Sequence, residues 1–191
     1  MKISECHRLL ASGLSSTRIS PAEDSVLGKL ARNVYGMASA YESDGLTFSA
    51  AGDLVNAHAA FFYGFGWLHF GYSFGLFSSS REAECPFVGS SETLPIGYYE
   101  KLEEKTRRYG RLRDTARSSV TCGPDPATTA FSFSERVLCI AASYSSQGRV
   151  FMDKGKFEDA LACFSYGHGW IDAAVTSGLF RIVSERDLFT V

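Results

Sequence analysis

The feature that most constrains this chain is that it matches itself without a gap at a shift of 103 residues. Residues 38–77 read ASAYESDGLTFSAAGDLVNAHAAFFYGFGWLHFGYSFGLF, and residues 141–180 read AASYSSQGRVFMDKGKFEDALACFSYGHGWIDAAVTSGLF. The identical positions are mostly small or aromatic: Ala38 with Ala141, Tyr41 with Tyr144, Gly45 with Gly148, Gly52 with Gly155, Phe61 with Phe164, Tyr63 with Tyr166, Gly66 with Gly169, Trp67 with Trp170 and Gly75 with Gly178. The same shift pairs Arg8 with Arg111, Leu9 with Leu112 and Pro21 with Pro124, so the repeat reaches back toward the N-terminus. An internal duplication of one structural unit is the reading such self-similarity supports.

Within each copy the period is helical. Val137, Ala141, Tyr144, Gly148 and Phe151 recur at steps of four and three, as do Ala160, Phe164, Gly167, Ile171, Ala174 and Gly178, which predicts two packed helices joined as a hairpin. The turns fall at Gly52-Asp53 and Gly155-Lys156, where glycine can take the left-handed position past a helix and aspartate can cap the next. Ser20-Pro21-Ala22-Glu23 reads as the start of the earlier helix, and Gly75 and Gly178 as C-terminal stops of the later one. Adding a first helix over 2–14 and 97–117 gives three helices per copy. The expected organisation is a three-helix repeat over 1–77, a Ser/Pro/Gly linker over 78–96, a second repeat over 97–180 and a tail over 181–191.

Composition narrows the function classes. A formal charge of −2 offers no bulk attraction to nucleic acid or anionic lipid. Five scattered cysteines, none in a Cys-x-x-Cys pair, give no zinc or disulfide framework. An N-terminus that is polar by its fifth residue predicts a mature start at Met1 and a cytoplasmic home. Residues 57–77 carry no Asp, Glu, Lys or Arg, but His58 and His69, together with Asp172 in the second copy, point to the buried centre of a bundle and not to a membrane span.

Four constellations could carry chemistry. His168 and Asp172 stand at i and i+4 on one helix, close enough to share a proton or a metal, yet two ligands are not a complete site and the first copy has Phe65 and His69 there. The reading favoured for this dyad is a structural polar pair; were the third helices to cross on a pseudo-twofold axis, His69 and Asp172 would be placed to pair across it. The shared Tyr63-Gly-x-Gly-Trp67 and Tyr166-Gly-x-Gly-Trp170 could line a ligand pocket, although aromatic stripes at helical spacing usually face a core. Residues 97–117 hold seven basic residues interleaved with Tyr98, Tyr99 and Tyr109; Glu103 with Arg107 and Glu104 with Arg108 make a solvated, ion-paired face the favoured reading and disfavour RNA. Neither copy shows a phosphate-binding glycine loop.

Ala38, Tyr41, Phe48, Gly52, Asp53, Ala57, Tyr63, Gly66, Trp67 and Leu68, followed by Ala141, Tyr144, Phe151, Gly155, Ala160, Tyr166, Gly169, Trp170, Asp172 and Ala173, carry a resemblance. The pattern Ala-x-x-Tyr, Phe-x-x-x-Gly-Asp, Ala, Tyr-Ala-x-Gly-Trp-Leu-Asp-Ala resembles the archaeal family known as domain of unknown function 357. The resemblance implies a three-helix up-and-down bundle and no established activity. Departures are Gly64 and Gly167 for the alanine after tyrosine, His69 for the aspartate, and Lys156 for the aspartate after the turn glycine.

The expectation is therefore an all-α chain of two tandem three-helix up-and-down bundles packed as a pseudo-dimer, within one monomer or in a homodimer. Its expected role is non-enzymatic binding of a protein or small ligand, with Tyr63, Trp67, His69, Tyr166, His168, Trp170 and Asp172 as candidate ligand contacts. No cofactor, catalytic residue or metal ligand is assigned. The alternatives are a metal-dependent or hydrolytic enzyme centred on His168 and Asp172, and RNA binding through 97–117.

Overall fold

The computed structural model describes residues 3–79 and 94–190. The first copy comprises α1 (Ile3–Ser16), β1 (Thr17–Ile19), α2 (Val26–Ala50), α3 (Leu54–Ser73) and β2 (Phe77–Ser79). After a 3-10 turn at Ile96–Tyr98 the second repeats the order with α4 (Tyr99–Ser118), β3 (Val120–Cys122), α5 (Thr129–Asp153), α6 (Phe157–Thr176) and β4 (Phe180–Ile182), and a last 3-10 turn spans Arg186–Leu188. The all-α tandem expectation holds. Of the expected linker, residues 80–93 lie outside the described residues.

Each hairpin turns where glycine permits it. Gly52 and Gly155 have φ of +75° and +71°, and Gly75 and Gly178, just past α3 and α6, have +79° and +76°. Asp53 caps α3 by accepting from the Asn56 amide at 3.1 Å. The start predicted for α2 needs correction: the helix begins at Val26 with Ser25, not Ser20, as its cap, accepting from the Gly28 amide at 2.9 Å. Residues before it are committed elsewhere, since the Ser20 amide donates to the Leu76 carbonyl and Ser25 Oγ donates back to the Ala22 carbonyl. Thr128, the counterpart of Ser25, caps α5 on the Phe131 amide.

The short strands were not expected. β1 pairs antiparallel with β2, and β3 with β4, so each copy is closed by a ribbon that ties the end of its first helix to the end of its third. Threonine, valine, isoleucine and phenylalanine suit such pairing.

Within each copy the first and third helices run side by side in the same direction. A Cβ built on Gly64 would meet Leu10, and one on Gly13 would meet Leu68, which fixes the α1–α3 register. Likewise Thr106 donates to the Phe157 carbonyl and Gly110 lies against Phe164 between α4 and α6. α3 and α6 are buried along nearly their whole length and form the centre, with Trp67, Phe61 and Phe70 wholly enclosed. Each enclosed side chain of that size contributes about 2–3 kcal/mol.

Candidate functional site

The two copies meet where α3 crosses α6. A Cβ added to Gly66 would lie 2.5 Å from the Tyr166 carbonyl oxygen and 3.0 Å from Gly169 Cα; one added to Gly169 would lie 2.6 Å from the Tyr63 carbonyl oxygen and 3.2 Å from Gly66 Cα. The contact is reciprocal under the 103-residue shift, as a pseudo-twofold axis through the crossing requires. The glycines are there because the backbones touch.

Beside the crossing, each tyrosine of the shared motif reaches into the opposite copy. Tyr63 Oη donates to Asp172 Oδ2 at 2.7 Å, and Tyr166 Oη shares a hydrogen bond of 2.9 Å with His69 Nδ1. These bonds are mates under the pseudo-symmetry, since Tyr63 corresponds to Tyr166 and His69 to Asp172. The expected pairing of His69 with Asp172 across the axis is not what forms: each bonds the tyrosine of the other copy. The second ring behind each pair is also duplicated, with Tyr41 and Tyr63 centroids 4.4 Å apart and Tyr144 and Tyr166 centroids 4.4 Å apart.

Asp172 is wholly buried and has further partners in the C-terminal segment: Thr190 donates to it from its amide at 3.0 Å and from its hydroxyl. Burial, and then the nearby Asp172, push the Tyr41 phenol up to about 12 and the Tyr63 phenol well above its ordinary 10, so both stay protonated donors. Burial pulls His69 down to about 4, which keeps the ring neutral. His168 does not hydrogen-bond Asp172. Burial lowers its pKa against the pull of Asp172 and of the Leu188 backbone, and its Nε2 has no hydrogen-bond partner.

Trp67 and Trp170 are core residues at 0% and 2% exposure, and both indole N–H groups lack a hydrogen-bond acceptor. Trp170 stands edge-on to Phe70 with centroids 5.9 Å apart. The motif thus serves packing in both copies.

The basic helix, α4, is not a continuous cationic face. Arg107 pairs with Glu103 at 2.8 Å, Arg108 approaches Glu104 at 3.9 Å, and Lys101 pairs with Asp53 of the first copy at 2.9 Å. Lys105 is buried on Asn56, and Arg113 is 4% exposed. Among the described residues, no three His, Cys, Asp or Glu side chains gather as a metal site, and no helix is long and apolar enough to cross a membrane.

Tyr41 and Thr190 complete the polar cluster and were not among the candidates, and Arg113 entered only as one of the basic residues of 97–117. Tyr41 carried a signal as half of an identical pair, and Arg113 carried one as the counterpart of Leu10. Thr190 lies beyond the repeat and carried none.

The family described as protein of unknown function (DUF357) matches twice, over residues 6–77 and 108–180. No curated protein matches the chain, and no solved structure does.

Proposed function

The chain belongs to the DUF357 family as two copies of its domain in tandem, and from that premise we propose that it is a non-enzymatic helical module that binds a protein or small ligand. The observation carrying this reading is how the ionisable side chains at the crossing are used. Tyr63 is bonded to Asp172 and Tyr166 to His69 within the α3–α6 contact, and Asp172 is bonded again to Thr190 of the C-terminal segment. A general acid or base must come within hydrogen-bond reach of a substrate, and groups engaged with each other in a closed interface hold the two copies together instead. The copies share their packing framework and differ in their ionisable residues, which suits a scaffold whose outer faces are free to specialise. Because α3 and α6 satisfy each other within one chain, the module works as a monomer.

Native mass spectrometry of the purified full chain, with elemental analysis, tests this. The expected result is a monomer without stoichiometric metal that retains a bound organic or protein ligand. A stoichiometric metal lost in Asp172→Asn would overturn the reading in favour of a metalloenzyme centred on His168 and Asp172.

A further inference from the structure

The second copy differs from the first at two adjoining interior positions, and both changes run from apolar to ionisable. Leu10 of α1 is wholly buried, and Phe65 of α3 is 2% exposed. Their counterparts at the 103-residue shift are Arg113 of α4, 4% exposed, and His168 of α6, 8% exposed. On α4, Thr106 donates to the Phe157 carbonyl and Gly110 lies against Phe164, so Arg113, three residues on from Gly110, falls on the face of α4 turned to α6, at the position Leu10 holds in the first copy. The charge of Arg113 is felt at His168.

Neither side chain is satisfied. Arg113 Nη1 donates to Asp114 at 3.1 Å, but Nε and Nη2 have no partner. Asp114 is itself divided between Arg113, Ser145 and Arg149. Nε–H and Nη2–H form the straight edge of the guanidinium, which matches two oxygens of a carboxylate or phosphate. His168 Nε2, buried in α6, is unpartnered as well. Leaving such groups unpaired in an interior is costly, and the first copy shows that the same framework closes over leucine and phenylalanine.

We propose that Arg113 and His168 form an oxyanion-binding site between α4, α6 and the C-terminal segment, taking a carboxylate or a phosphate group on the free edge of Arg113. The proposal rests on the binding-module reading and names the chemistry of a ligand for it. The C-terminal segment covers α6 here, with Thr190 bonded to Asp172, one turn on from His168, and the Phe189 side chain buried. An incoming anion displaces this cover.

The test is titration of the full-length protein with sodium phosphate and, separately, sodium acetate, against sodium chloride at matched ionic strength, following the Arg113 Nε–H and His168 ring resonances by NMR. Saturable shifts with phosphate or acetate and none with chloride are expected. The tighter of the two identifies the site as one for phosphate or for carboxylate groups. Arg113→Leu, which restores the residue of the first copy, should abolish saturation at the His168 ring. Arg113→Lys, which keeps the charge but loses one of two parallel bonds, should weaken binding about tenfold and serves if the leucine variant folds poorly. No saturation in the wild type, or equal saturation in Arg113→Leu, would overturn the proposal. Such a result with a ligand still retained in native mass spectrometry would leave the module reading intact. A stoichiometric metal lost in Asp172→Asn would remove the module reading while leaving a saturable, Arg113-dependent anion site.

Discussion

Adding one methyl group at the crossing, in Gly66→Ala, sets two effects of opposite sign against each other. Alanine is the better helix former by about 1 kcal/mol. Against this, the new Cβ would sit 2.5 Å from the Tyr166 carbonyl oxygen, a backbone atom that cannot rotate away. Ordinary contact begins near 3.4 Å, so α3 and α6 must part by most of an ångström, loosening Tyr63–Asp172 and Tyr166–His69 on either side. Overpacking of this kind costs about 1–3 kcal/mol, and a rigid backbone obstacle places it at the upper end. The net expectation is a loss of about 2 kcal/mol, or about 4–8 °C in Tm for a chain of this size. The control is Gly36→Ala in the middle of α2, where an added Cβ meets nothing within 4 Å and only the propensity gain remains. Thermal and urea unfolding followed by circular dichroism should therefore move in opposite directions for the two variants. If Gly66→Ala stabilised the protein as Gly36→Ala does, the copies would not touch at the glycines and the reasoning would fail. Gly66→Ala with Gly169→Ala should cost less than the sum of the two, since both open one gap.

Acid should weaken the fold through its buried histidines. Burial takes His58 down to about 4, so between about 6.5, where the unfolded ring titrates, and about 4 the unfolded chain binds a proton that the folded one refuses. Stability is lost as pH falls through that window, by about 3 kcal/mol from this residue. In His58→Leu, which carries the residue found at Leu161 in the second copy, the urea midpoint should fall less steeply; parallel curves would refute this. Tyr63→Phe should cost about 2 kcal/mol and Tyr166→Phe about 1, because the first hydroxyl serves a carboxylate and the second a neutral ring; equal losses on denaturant unfolding would contradict the assignment. Thr190→Ala removes the hydroxyl from Asp172 but keeps the amide bond, so a loss of about 1.5 kcal/mol with faster amide exchange at residues 186–190 is expected; unchanged exchange would show that the hydroxyl does not hold the segment.

The helices were legible because their signals are periodic or punctual: the four-three spacing of Ala160 to Gly178, and the glycines at 52, 75, 155 and 178 that stop each helix in a left-handed turn. The start of α2 was misplaced by five residues because Ser20-Pro21 carries the local grammar of a cap, while the ribbon that claims Ser20 depends on Leu76, far along the chain. Three-residue strands such as Thr17–Ile19 are too short to show alternation. The candidate site was half legible. Tyr63, His69, Tyr166 and Asp172 could be placed on facing helices, but which of them bond is set by the crossing geometry. Helical spacing pairs His168 with Asp172, but Asp172 is taken by Tyr63 and Thr190, tertiary contacts with no trace in local sequence.

The pseudo-twofold at Gly66 and Gly169 also bears on how such a protein can change. In a dimer of identical chains every substitution at the axis occurs twice, so an acid placed there faces its own copy, and any gain on one side is tied to a loss on the other. Joining the two halves in one chain cuts that tie. One tyrosine can keep a carboxylate while its mate takes an imidazole, and one wall can stay leucine while the other becomes arginine, each altered by a single event that the opposite half does not have to accommodate.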